Sequence, residues 1–158
     1  MTETPEPIPR PNVLRAKVGK TFGGIDADAV ARAEEALKAL SGQFGQWLKD
    51  EITKLEAAQA AIRTEGYSEK TAESLYYRAH DLKGLGTTYE YPIVTRLAGS
   101  LCHLLDSEER RKTSPWALID AHIEAIRVVV RDEIKTDDHP MGGMLCQELE
   151  AKVAQLQG

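Results

Sequence analysis

From Asp26 onward the apolar residues fall three and four positions apart, the spacing that lays them along one side of a helix. Val30, Ala33, Leu37, Leu40, Phe44, Trp47, Leu48, Ile52, Leu55 and Ile62 follow this pattern. One helix over 26–64 would run nearly 60 Å, at about 1.5 Å per residue. The later helices are about half that length. Ser41, Gly42 and Gly45 fall at its midpoint, and each glycine costs about 1 kcal/mol against alanine. The pattern therefore predicts a break near 41–45. The alternative is one long helix whose first half projects, into a dimer for instance.

Gly66 closes this segment. Ser68 offers its hydroxyl as an N-cap, with Glu69 in the first turn, and predicts a helix from 68 to about Tyr89. Pro92 opens the next, to about Arg111. Ser114 and Pro115 open another, to about Lys135. Asp137-Asp138-His139-Pro140 reads as a loop, and a last helix spans about Gly143 to Gln155. No stretch alternates with the period of a strand. Short connections make consecutive helices antiparallel neighbours. The expected fold is all-α: an antiparallel four-helix bundle with additional N- and C-terminal helices. Its expected core is Trp47, Leu48, Leu55, Leu75, Leu82, Leu97, Leu101, Leu104, Leu118, Ala125 and Val129. The 115–135 helix is apolar around more than half its circumference and is expected to be the most buried.

Composition adds boundaries. The 158 residues match one domain. Pro5, Pro7, Pro9, Pro11 and Gly23-Gly24 mark residues 1–24 as a flexible, proline-rich arm, leaving 25–158 as the helical-bundle domain. VGKT at Val18–Thr21 lacks the glycine that a phosphate loop needs five residues before Gly19, where Leu14 stands. A net charge of −5 with interspersed signs argues against a nucleic-acid partner. No apolar run approaches the roughly 18 residues of a membrane span, and the N-terminus lacks the pattern of a signal peptide. A cytoplasmic protein is expected, with Cys102 and Cys146 as free thiols.

The chemistry concentrates on the helix after Ser68. At about 100° per residue, Leu75, Ala79, Leu82, Gly86 and Tyr89 cluster within about 80°, which is the core face. His80 lies about 140° from its centre. Glu73, Tyr76, Tyr77, Lys83, Gly84 and Thr87 share its exposed side. Neutral imidazole is a nucleophile near pH 7. An ammonium at i+3 can neutralise phosphoryl oxygens beside it, and phosphoryl transfer depends largely on positioning and charge. A glycine at i+4 removes bulk where another protein would close over the histidine.

Ala79-His80-Asp81-Leu82-Lys83-Gly84 resembles the A-H-x-L-K-G signature of histidine-containing phosphotransfer domains, the helical carriers of phosphorelays. The likeness covers helix layout over about 44–135 and is specific over 79–84, more loosely to 101. It implies that His80 accepts the phosphoryl group, Lys83 assists and Gly84 permits docking. Glu73, Tyr76, Tyr77 and Thr87 would then flank the docking face. The family often has glycine ten residues after the histidine, where this chain has Glu90. The implied partners are response-regulator receiver domains or a hybrid histidine kinase. Mg²⁺ would come with the receiver, and the chain would need no cofactor of its own. With no nucleotide motif, it would be a stoichiometric carrier rather than an autokinase.

The other histidines read as structural. His103 falls on a polar face as a surface residue, His122 on an apolar face as a core histidine, and His139 in a loop. With the two cysteines they lack the paired spacings of a zinc site. Two rival readings remain. One is a helical interaction or dimerisation protein with this fold and no transfer. The other is a histidine kinase dimerisation domain, which would require an adjoining ATPase domain, and only about 23 residues follow Lys135.

Overall fold

A computed structural model describes residues 26–157, and every regular element among them is a helix. The stretch expected as a flexible arm, 1–24, lies outside the described residues. Six helices follow in order among the described residues: α1 Ala27–Glu65, α2 Glu69–Thr88, α3 Pro92–Leu105, α4 Glu108–Thr113, α5 Trp116–Arg131 and α6 Pro140–Gln157. None is long and apolar enough to cross a membrane.

By its internal contacts the chain divides into two units, up to Gly42 and from Gln43 onward. The described part of the first unit is the start of α1. The Asp26 carboxylate caps it by accepting the Asp28 N–H at 2.9 Å, and Leu37 and Leu40 are exposed along it. The break expected near 41–45 does not occur, because α1 is one helix of 39 residues. Gly42 and Gly45 keep negative φ. Their propensity cost is spread over a long helix rich in alanine and leucine.

In the second unit, local chemistry sets the helix ends. Gly66 stops α1 with φ +90° and donates to the Ile62 carbonyl at 3.0 Å. Ser68 and Thr71 form a reciprocal cap at the start of α2: Thr71 N–H donates to Ser68 Oγ, and Ser68 N–H to Thr71 Oγ1. At the end of α2, Glu90 takes φ +66°. Its N–H bonds the Thr87 carbonyl at 3.1 Å, and the Tyr91 N–H bonds Gly86 at 2.7 Å. This is a Schellman ending with glutamate in the left-handed position that glycine usually fills. The helix expected to reach Lys135 stops at Arg131 the same way, with Glu133 at φ +57° and Ile134 N–H bonded to Val129.

Two further boundaries differ from the sequence pattern. The helix expected over 92–111 is divided, because Ser107 turns extended and caps α4 by accepting the Arg110 N–H at 3.2 Å. The last helix starts at Pro140, not Gly143. Proline needs no donor in a first turn, and His139 Nδ1 accepts the Met141 N–H at 3.1 Å.

The part of α1 in this unit, with α2, α3 and α5, forms an antiparallel four-helix bundle. Gln59 and Arg63 both reach Asp120 on α5, at 2.6 and 3.0 Å. Glu56 faces Arg127, one end further along. Leu48, Leu55, Leu75, Leu82, Leu97, Leu101, Ile119 and Ile126 are fully enclosed, and each such burial contributes about 1.5–3 kcal/mol. Two expected core residues are less enclosed. Trp47 is 37 % exposed, its ring lying against Phe44 and Tyr89, and Leu118 is half-buried. The helix expected to be most buried, α5, yields that place to α3, which packs against α2, α4, α5 and α6 at once.

His122 is wholly enclosed between α5 and α3. Its Nδ1 lies 2.8 Å from the Leu118 carbonyl and its Nε2 2.8 Å from Ser100 Oγ. The carbonyl can only accept, so Nδ1 carries the proton and Nε2 accepts from the serine. Burial pushes its pKa below the ordinary histidine value, against the opposing pull of the Leu118 bond and the Glu150 carboxylate. The unfolded chain therefore takes up a proton first, near pH 6.5. The stability that neutral His122 contributes is complete above that pH and is lost as pH falls below it, by up to about 1.4 kcal/mol per pH unit. Urea unfolding at stepped pH should show this slope in the wild type and a shallower one in His122→Gln. Equal slopes would show that His122 keeps an unshifted pKa in the fold.

Candidate functional site

The capping box at Ser68 sets the phase of α2, and its apolar face sets which side is left over. Ala72, Leu75, Ala79, Leu82 and Gly86 are buried. Glu73, Tyr77, His80, Lys83, Gly84 and Thr87 are exposed, and Tyr76 is half-buried. Among the described residues neither ring nitrogen of His80 has a hydrogen-bond partner; its ring centroid lies 6.0 Å from that of Tyr76. No carboxylate among the described residues pairs with the Lys83 ammonium. A Cβ built on Gly84 would meet nothing within 4 Å. The residues singled out on α2 thus lie along one open strip, with a free imidazole and an unpaired cation one turn apart.

Two features behind the strip hold it in place. A Cβ on Gly86 would stand 2.4 Å from Thr95 Oγ1, 2.5 Å from Thr95 N and 3.0 Å from the Tyr91 carbonyl. The missing side chain lets the start of α3 press onto α2. Thr95 Oγ1 then donates to the Lys83 carbonyl at 2.8 Å and accepts the Thr87 N–H at 2.9 Å. One hydroxyl from α3 so bridges a donor and an acceptor of α2 spaced four residues apart. Further along, the Lys83 stem passes over Gly99, whose Cβ position lies 4.0 Å from Lys83 Cδ.

Beside the strip opens a cleft of about 480 Å³. Its walls come from three helices: Tyr76, His80 and Lys83 of α2; Arg96, Gly99, Cys102 and His103 of α3; and Glu150, Val153, Ala154 and Gln157 of α6. The α3 and α6 walls were not legible in the sequence. Gly99 and Ala154 are small residues with no motif around them, and α6 lies far along the chain. His103 is exposed, as its helix face predicts, yet it borders the same cleft as His80.

Charge in the cleft is divided between tied and free groups. Arg96 forks onto Glu150 with two bonds of 2.7 Å and reaches Asp137 at 2.6 Å. These bonds hold the Glu150 carboxyl below its usual range and raise the guanidinium. Asp106 is engaged by Arg110. Among the described residues that line the cleft, Lys83 is left as the cation available to a ligand. The Cys102 thiol is pushed up to about 11, chiefly by burial, with Lys83 pulling it down and Asp106 up. It stays protonated at neutral pH, which leaves the exposed imidazoles of His80 and His103 as the nucleophiles beside the cleft; His80 is the one that shares the α2 strip with Lys83 and Gly84. Among the described residues no group of three or more His, Cys, Asp or Glu could hold a metal ion.

Comparison with protein-family models, with curated proteins and with solved structures finds no match to this chain.

The two glycines of the strip's helix are set in opposite surroundings. Gly84→Ala adds a methyl group to open space and should raise stability by up to about 1 kcal/mol through helix propensity. Gly86→Ala drives a methyl group into the Thr95 backbone and should lower it by about 1–3 kcal/mol. Chemical unfolding of the two variants measures both. Equal effects would mean that α2 and α3 do not meet as closely as described.

Proposed function

We propose that this chain is a phosphoryl carrier, which accepts the group on His80 from a phospho-aspartate of a receiver domain and passes it to another receiver. The reading is carried by one observation: an exposed imidazole with free nitrogens, flanked on the same strip by the unpaired Lys83 ammonium and the open Gly84. The A-H-x-L-K-G run over 79–84 supports it from the sequence side.

The chemistry asks little of the carrier beyond position and charge. His80 attacks phosphorus through Nε2 in line with the aspartyl oxygen. The N–P bond forms as the O–P bond breaks, and the bonding pair leaves with the aspartate as a free carboxylate. The Nδ1 proton stays on the phosphoimidazole or passes to solvent. Lys83 neutralises part of the charge on the phosphoryl oxygens, and Mg²⁺ comes with the receiver. The reverse step loads the next receiver, because an N–P bond is readily returned to a carboxylate. Thr95 contributes indirectly by fixing the turn of α2 that carries Lys83 and Gly84.

Incubation with a phosphorylated receiver domain should label the wild type with an acid-labile, base-stable adduct, and His80→Gln should abolish it. Labelling that persists in His80→Gln would sink the assignment of His80, whereas a wild type that takes no label would favour a helical interaction protein without transfer. Lys83→Ala removes an exposed charge and little packing, so its melting should match the wild type. Its transfer should slow, or its phospho-His80 should decay faster. Unchanged kinetics in both directions would reduce Lys83 to a solvated charge.

A further inference from the structure

The cleft beside His80 is walled on its far side by α6, a helix outside the stretch that resembles the phosphotransfer family. We propose that this end of α6, through Ala154 and Gln157, is part of the surface on which the receiver domain docks and helps select which receiver is served. The proposal rests on the phosphotransfer reading of His80 and adds the surface that its partner must cover.

Three observations carry it. The first is continuity: Ala154 and Gln157 line the same cleft as His80 and Lys83. A protein that brings a phosphorus atom to His80 must close over the mouth of that cleft, and α6 is one of its rims. The second is preorganisation. Cys146, Leu149 and Val153 bury one side of α6, and the Arg96 fork fixes Glu150 from α3. The backbone of the wall stands ready before a partner arrives, so the ordering that docking must supply is confined to exposed side chains such as Gln157. The third is the division of shape and charge. Gly99 and the exposed Ala154 keep the cleft open, while among the described residues lining it Lys83 offers a free cation at its α2 edge. That suits a partner that presents an anionic, phosphorylated centre and fills the open cleft with a surface of its own.

The test compares two phosphoryl donors. One is a set of isolated receiver domains loaded with acetyl phosphate and Mg²⁺. The other is phosphoramidate, a small donor that needs no docked protein. In Ala154→Trp, the rate of labelling from a receiver relative to that from phosphoramidate should fall about tenfold, mainly through KM. Should Ala154→Trp melt early, Gln157→Trp at the exposed end of α6 gives the same comparison. A relative rate equal to wild type in a folded variant overturns the α6 surface and leaves the phosphotransfer reading standing. Wild type labelled by phosphoramidate but by no receiver overturns the docking proposal, as does a wild-type dimer that Ala154→Trp dissociates without slowing transfer. Wild type labelled on His80 by neither donor overturns the phosphotransfer reading and this proposal with it.

Discussion

The close approach of α2 and α3 over Gly86 is the constraint on which the site depends. With a Cβ position only 2.5 Å from the Thr95 backbone, no residue but glycine fits without a shift. The approach brings the Thr95 hydroxyl to both the Lys83 carbonyl and the Thr87 N–H. It therefore fixes two things at once: the rotation of α2 against its neighbour and the backbone of the turn that bears Lys83 and Gly84. A hydroxyl placed between a helical donor and its acceptor is a device that bends or pins helices. Here it pins the helix one turn beyond the candidate nucleophile.

The end of α2 serves the same purpose. The chain must leave the helix at once if Pro92 is to start α3 close enough for Thr95 to reach back. The Schellman bonds at Thr87 and Gly86 provide that exit, and Glu90 accepts the left-handed backbone they demand. A non-glycine residue there carries a cost of roughly 1 kcal/mol, small beside the burial of Tyr91, Ile93 and Val94 that the turn makes possible. Glutamate at this position is thus compatible with the tight turn that the family resemblance leads one to expect.

The division of polar groups follows from burial. Groups that must enter the interior are satisfied in pairs, as with His122 between Leu118 and Ser100. Arg96 binds two carboxylates and joins α3 to α6 and to the loop before it. Arg111 is nearly enclosed and answers the Leu105 carbonyl, Glu69 and the Tyr76 ring. On the exposed strip of α2, by contrast, His80 and Lys83 have no hydrogen-bond or ion-pair partner among the described residues. An unpartnered imidazole or ammonium costs little in water, so the fold can leave both open for a ligand.

What the sequence by itself determined are the features that one helix can encode. The three- and four-residue spacing of Leu75, Ala79, Leu82 and Gly86 dictates that α2 is a helix and that His80, Lys83 and Gly84 share its solvent side. The same periodicity placed His122 inside and His103 outside. It was least informative where local cost and cooperative packing disagree. The glycines of α1 read as a break but are carried through, Trp47 reads as core but stays at the edge, and Ser107 divides a helix that hydrophobic spacing would have continued. Only the tertiary structure decided that Thr95 locks the turn at Lys83, that Ser100 answers His122 across 22 residues, and that α6 returns to wall the cleft at His80. Each of these joins residues far apart in the chain. Local spacing can say which way a side chain points, but not which distant surface will come to meet it.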